Sequence, residues 1–198
     1  MQENIHPIFK TALPASKKEE LLDQRGLVIW LVGLSGSGKS TLATGLENRL
    51  NQNGYYTMLL DGDNLRTGLN KNLGFSESDR SENIRRTAEV SKLFANNGAI
   101  TICSFISPTE EIRSMAQKII GQKYYEVFVS CPLEVCEQRD VKGLYAKARS
   151  GEIKNFTGID SPFENPKHPN LEVKTDKHTL EESLDTLYAS IKNKITFA

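Results

Sequence analysis

Short runs of apolar residues alternate along this chain with stretches in which apolar positions recur every three or four residues. Leu27 to Val32, Tyr55 to Leu60, Ala99 to Phe105, Tyr124 to Ser130 and, more weakly, Leu171 to Lys174 read as buried strands. Lys39 to Asn51, Ser78 to Asn96, Glu110 to Ile120, Leu133 to Gln138 and Leu180 to Lys194 read as the helices between and after them. Strand and helix taken in turn predict an α/β fold, because parallel neighbours need a crossover and the crossover helix packs back on the sheet. The expected architecture is a parallel five-stranded sheet with helices on both faces. Right-handed crossovers would then bring the carboxyl ends of the strands, and any site they carry, to one edge. Two connections break the rhythm. Residues 64–77 are polar and contain glycine, and residues 140–170 are rich in Lys, Gly and Pro. Both read as loops long enough to be functional or disordered.

Composition narrows the classes. A chain of 198 residues holds one well-buried core, so residues 1–25 read as a loosely attached leader and 26–198 as a single domain. The leader carries a charged helical pattern from Ser16 to Gln24. Lys plus Arg and Asp plus Glu both number 25, which argues against a general polyanion-binding surface and hence against nucleic acid as a partner. The apolar runs are strand-sized, and Met1-Gln2-Glu3-Asn4 lacks the basic start and apolar core of a signal peptide. The expectation is a cytoplasmic protein with no membrane partner. Cys103, Cys131 and Cys136 show no C-x-x-C spacing and read as reduced structural thiols.

The chemistry starts where the first strand ends. Gly33-Leu34-Ser35-Gly36-Ser37-Gly38-Lys39-Ser40-Thr41 satisfies the phosphate-cradling pattern G-x-x-x-x-G-K-[ST] at every defined position. Glycines let the backbone curl until successive N–H groups point at phosphate oxygens, and the helix that follows adds the positive end of its dipole. Lys39 can then reach the β and γ phosphates, and the Ser40 hydroxyl can ligate Mg²⁺. A plain strand-to-helix turn would also use glycine, but it would not need the Lys-Ser pair.

The second strand ends in Asp61-Gly62-Asp63-Asn64-Leu65-Arg66, which delivers two carboxylates and an arginine to the same edge. Phosphoryl transfer needs Mg²⁺ support, a group that orients or deprotonates the acceptor hydroxyl, and positive charge around the transferred group. Asp63 is assigned to the acceptor hydroxyl, and Asp61 to Mg²⁺ through water, together with Ser40. Asp, Gly and Asn also favour simple turns, a reading that the preceding phosphate loop weakens. Further on, Arg80 and Asn83 stand three apart and share a helix face, where arginine suits bidentate recognition of phosphate or sulfate oxygens. Taken alone, such a face is more often merely solvated.

Five passages in family order make the chain resemble the adenylylsulfate kinases: GLSGSGKST from Gly33, DGDNLRTGLNKNLGF from Asp61, RSENIRRTAE from Arg80, SFISP from Ser104 and GLYAKARSGEIKNFTGIDS from Gly143. The phosphate loop is shared with many enzymes, whereas DGDN, SFISP and FTGID in this order are specific. The resemblance implies a P-loop NTPase-type three-layer sandwich with a lid near residues 140–170. It also implies ATP with Mg²⁺ as cofactor, and phosphorylation of the 3′-hydroxyl of adenosine 5′-phosphosulfate. Phe75 and Phe156 match rings that hold the adenine of adenylylsulfate, and stacking of this kind is worth about 1 to 3 kcal/mol per base. Arg66, Arg80 and Asn83 match positions that receive the phosphosulfate, and Ile106, Ser107 and Lys147 match further substrate contacts. In some family members the counterpart of Ser107 is taken as a phosphoserine intermediate. Here the local sequence places no base beside Ser107, and in-line transfer needs no covalent step, so Ser107 stays as a site residue. Lys142, Lys147 and Arg149 can bring charge over the phosphates as the lid closes. Departures from the family pattern at Thr67, Cys131, Val141, Ala146 and Asn155 remove none of these groups.

Other readings fit less well. A GTPase-like switch would read guanine with Asn-Lys-x-Asp after a strand, but Asn70-Lys71-Asn72-Leu73 lacks the Asp. Another small-molecule kinase, acting on gluconate or a nucleoside monophosphate, would share the phosphate loop. The oligomeric state is open, a homodimer included.

Overall fold

The computed structural model describes residues 4–9 and 11–197; Met1 to Glu3, Lys10 and Ala198, part of the expected leader among them, lie outside the described residues. Five strands, β1 (Leu27–Val32), β2 (Thr57–Asp61), β3 (Ile100–Phe105), β4 (Tyr124–Ser130) and β5 (Leu171–Lys174), form one sheet in the order β2-β3-β1-β4-β5. Every pairing is parallel. All six residues of β1 and all six of β3 are buried, which is why these central strands read as unbroken apolar runs rather than as alternating ones. The edge strands β2 and β5 are only partly covered, and β5 is correspondingly the weakest in the sequence.

Helices α2 (Lys39–Gln52) and α8 (Leu180–Ile195) cover one face. There Leu42, Leu46 and Leu50 meet Leu187, Ile191 and the β1 side chains Ile29 and Leu31 in one cluster. Helices α4 (Glu77–Ala95) and α5 (Glu110–Ile120) cover the other face, with Ile84, Ala88, Ile112 and Ala116 against Trp30 and Phe105. Alternate β1 residues thus face opposite helical layers, as a pleated strand requires. Among the described residues no helix is long and apolar enough to cross a membrane.

Three sequence expectations need correction. The second strand starts at Thr57 and not at Tyr55, because the Tyr55 N–H closes the end of α2 on the Leu50 carbonyl (3.0 Å) and the Tyr56 N–H donates to the Gln24 side chain (2.7 Å). The expected loop at 64–77 begins inside a short helix, α3 (Gly62–Arg66), capped by the Asp61 carboxylate accepting from the Asp63 N–H. The expected loop at 140–170 contains α7 (Leu144–Arg149), whose first turn is held by Asp140 accepting from the N–H groups of Tyr145 and Ala146. This segment owns a small core in which Tyr145, Ala148 and Phe156 pack with Leu34 and with Cys136 of α6 (Leu133–Arg139).

The leader's helical pattern is realised as α1 (Ala15–Leu22). Glu19 of α1 accepts from the Gly26 N–H and from Lys123, and Gln24 bonds three backbone groups of Tyr56 and Gly98. Beside it the Arg25 N–H donates to the Ile195 carbonyl at 2.7 Å, and Gln24 bridges Thr196, so the chain's entry into β1 lies against its exit from α8.

Candidate active site

The carboxyl ends of β1, β2 and β3 open into a cleft of about 1080 Å³ that runs from the phosphate loop to the segment 139–157. Its near end is made by contiguous residues. Gly38 (φ 96°) and Gly36 (φ 74°) hold left-handed backbone that a side chain would strain, and a Cβ on Gly36 would come within 2.9 Å of the Cys136 carbonyl oxygen. The curl delivers Lys39, Ser40 and Thr41 as the opening turn of α2, where unbonded N–H groups favour an anion. Lys39 is 8 % exposed and donates from Nζ to the Leu34 carbonyl at 2.6 Å. Burial holds its pKa down to about 8, partly offset by Cys136 and the Asp61 and Asp63 carboxylates. A phosphate arriving there restores the charge that burial disfavours.

Asp61, Ser40 and Ser104 converge beside it. The Ser40 hydroxyl lies 3.0 Å from Asp61 Oδ2 and 3.3 Å from the Ser104 hydroxyl. Hard oxygen donors in this number suit Mg²⁺ that takes the rest of its shell from phosphate and water. The described residues hold no group of three or more His, Cys, Asp or Glu that could hold a metal ion.

The far end is assembled from distant segments. Asp63 is exposed and pairs with Lys142 of the 140–170 segment, which raises the Lys142 pKa. Arg66 donates to the Leu73 and Gly74 carbonyls, with its guanidinium 4.4 Å from the centre of the Phe75 ring. Phe75 is 64 % exposed. Arg80 donates through Nε to the Phe75 carbonyl, through Nη1 to Thr157 Oγ1 (2.6 Å) and through Nη2 to the Asn155 carbonyl (2.5 Å). Burial and the neighbouring Arg66 both lower the pKa of this guanidinium. Phe156 is 9 % exposed and packs edge-on to Tyr145, with ring centres 5.0 Å apart, while still lining the cleft. The Tyr145 hydroxyl donates to the Ser35 carbonyl at 2.9 Å and ties the segment to the phosphate loop.

Of the residues singled out in the sequence, Ser35, Gly36, Gly38, Lys39, Ser40, Thr41, Asp61, Asp63, Arg66, Phe75, Arg80, Asn83, Ile106, Ser107 and Phe156 line this one cleft. Gly33, Leu34 and Ser37 are buried and lie outside the lining. Asn64 and Lys147 are exposed and lie outside the lining, and Arg149 turns away to pair with Glu137. Ser107 is 2 % exposed in left-handed backbone (φ 46°); its Oγ accepts from the Trp30 indole N–H at 3.0 Å, and its carbonyl accepts from Arg113. No base is among these partners. Sequence reasoning missed Tyr145, Lys154, Thr157, Arg139 and Thr175, which also line the cleft. Thr175 follows β5 directly, so the carboxyl-end rule for parallel sheets was a usable signal for it. The others depend on how segment 139–157 folds back.

Residues 25–174 match the family model described as adenylylsulphate kinase. An adenylyl-sulfate kinase of Phocaeicola vulgatus is 60 % identical over 187 residues, covering 94 % of this chain and 92 % of that one. One from Clostridium acetobutylicum is 55 % identical, covering 92 % of each. The structure of the Mycobacterium tuberculosis APS kinase in complex with AMPPNP and APS is similar at TM-score 0.82 and 46 % identity, covering 85 % of this chain and 98 % of that chain. A gluconokinase from Sinorhizobium meliloti, at TM-score 0.58 and 16 % identity over 85 % of this chain and 93 % of its own, shares the fold alone.

Proposed function

The chain belongs to the adenylylsulphate kinase family, and we propose that its cleft transfers the γ-phosphoryl group of ATP to the 3′-hydroxyl of adenosine 5′-phosphosulfate, giving 3′-phosphoadenosine 5′-phosphosulfate and ADP. The observation that carries this reading is the single cleft shared by Lys39 and Ser40 at one end and by Asp63, Arg66, Arg80 and Asn83 at the other. A nucleotide donor and an anionic acceptor can meet only where both sets face the same space.

In this reading the phosphate loop and the first turn of α2 bind the β and γ phosphates. Lys39 neutralises charge on the group in flight. Asp63 accepts the proton of the acceptor hydroxyl and orients its lone pair at the phosphorus, with Lys142 holding the carboxylate in place until substrate displaces it. Arg66, Arg80 and Asn83 take the phosphosulfate, and the adenine lies between Phe75 and Phe156, the latter backed by Tyr145. Mg²⁺, when bound, supplies charge stabilisation across the phosphates, and Ser40 and Asp61 are the residues that would hold it. Ser107, with its hydroxyl engaged by Trp30, acts as part of the wall beside the acceptor, and the transfer is a single displacement. The segment 140–170 is the lid that excludes water. The cytoplasm as location also belongs to this reading.

The test is a steady-state assay with ATP, Mg²⁺ and adenylylsulfate, scored for 3′-phosphorylated product beside gluconate and nucleoside monophosphates. Turnover confined to adenylylsulfate is expected. Preference for another acceptor would overturn the assignment.

A further inference from the structure

Asn70 sits in the connection between α3 and α4, away from the cleft lining, yet it has no exposed surface. Its backbone is locked in a turn: the N–H donates to the Leu65 carbonyl (2.8 Å) and the carbonyl accepts from the Leu73 N–H (3.0 Å). Arg86 of α4 braces the same turn through the Leu69 carbonyl and the Asn72 side chain. From this fixed point Asn70 Nδ2 donates to Asn83 Oδ1 at 2.9 Å. Asn70 Oδ1 is left buried without a partner, an arrangement that is costly unless something else requires it.

Asn83 is 5 % exposed and lines the cleft on the same helix as Arg80. Its Oδ1 is occupied by Asn70, and among the described residues its Nδ2 has no protein acceptor, yet it is not among the sealed, unpartnered atoms. The amide therefore turns its donor towards the cleft. A carboxamide presents either two N–H donors or an acceptor oxygen on a given side, and only its partner decides which. An anionic ligand is stabilised by the first and repelled by the second.

We propose that Asn70 is a positioning residue that fixes the amide orientation of Asn83, so that the cleft offers an N–H donor to the anionic group of adenylylsulfate. The inference rests on the function proposed above. Its chemical signature is directional. An aspartate at position 70 has nearly the shape of asparagine but only accepts, so it would draw the Asn83 N–H groups towards itself and present Oδ1 to the anion.

Asn70→Asp and Asn70→Ala, each made in the wild type and in an Asn83→Ala background, test this through KM for adenylylsulfate, KM for ATP and the melting temperature. In the otherwise wild-type enzyme, Asn70→Asp should raise KM for adenylylsulfate by about tenfold or more, and Asn70→Ala by about threefold, with KM for ATP within about twofold. In the Asn83→Ala background neither should add more than about twofold, because the group they misdirect is gone. A purely structural role predicts the opposite: KM values for both substrates rising with a falling melting temperature, and losses that persist without the Asn83 side chain. Either that pattern or unchanged KM values would overturn the inference. If Asn70→Asp does not fold, the Asn70→Ala pair decides alone. A wild-type enzyme that ignores adenylylsulfate would instead defeat the functional reading, and this inference with it.

Discussion

The two ends of the cleft are built on different plans. At the phosphate end, nine contiguous residues from Gly33 to Thr41 are pinned between a fully buried strand and the first turn of α2. Its geometry is set by the left-handed glycines Gly36 and Gly38. At the other end, Asp63, Arg66, Phe75, Arg80, Asn83 and Phe156 arrive from α3, the connection after it, α4 and the segment 140–170. They are held in place by side chains: Lys142 on Asp63, Arg80 on Asn155 and Thr157, Asn70 on Asn83. A site made from one segment is rigid once its strand is folded, whereas a site made from several is only as ordered as the contacts between them. The difference suits the two ligands. ATP offers a charged tail that any nucleotide enzyme must grip, and the acceptor must be chosen among similar molecules and enclosed.

That contrast can be broken most severely at Lys39. Lys39→Ala should reduce kcat by about 10²- to 10³-fold or more, the scale of removing one preorganised group that meets developing charge. Melting temperature and proteolysis of residues 142–158 should stay close to wild type, because the loop is shaped by backbone. A large fall in melting temperature would mean that the phosphate end also depends on its side chains. A smaller effect belongs to Arg80. Arg80→Ala removes both contacts from α4 to Asn155 and Thr157 and, in the proposed function, a charge-assisted contact to the acceptor. KM for adenylylsulfate should rise by about ten- to a hundredfold, and residues 142–158 should be cut faster by protease in the ligand-free enzyme. Unchanged proteolysis would show that segment 140–170 is ordered by its own small core. The finest distinction concerns protons. Burial keeps the Lys39 pKa at about 8 in the free protein, and bound phosphate raises it, so ATP binding takes up a proton as pH rises through 8 and takes up none at pH 6. Calorimetry in buffers of different ionisation enthalpy reads this uptake directly, and ATP affinity should fall with a limiting slope of about tenfold per pH unit above 8. Equal proton exchange at pH 6 and pH 9 would contradict the burial of Lys39.

Legibility in the sequence follows the same division. The central strands could be read because burial makes them visible as apolar runs, and the phosphate end could be read because its nine residues are adjacent and its glycines come with a Lys-Ser pair. At the acceptor end the sequence supplied residue types but not their partners. Nothing local marks Asn70, whose importance comes from a residue thirteen positions on, or Tyr145, which reaches Ser35 across 110 positions. Helices α3 and α7 were hidden for a related reason, since each is short and is nucleated by a single aspartate, Asp61 or Asp140, that looks like turn chemistry. Lys147, which the family resemblance implies as a substrate contact, is exposed on α7 and lies outside the cleft lining, because six residues of helix leave only some positions facing the cleft.

The contact between Arg25 and Ile195 has a consequence for how this fold can be joined to others. Entry and exit of the kinase body lie side by side at the amino ends of the strands, while the cleft opens at their carboxyl ends. A short peptide could link the two points and new termini could be cut elsewhere on the surface, giving a circularly permuted enzyme whose cleft keeps every contact described above. The same geometry makes the fold a modular plug: segments joined directly at Arg25 and at Thr196 would leave from one shared socket, facing away from the cleft.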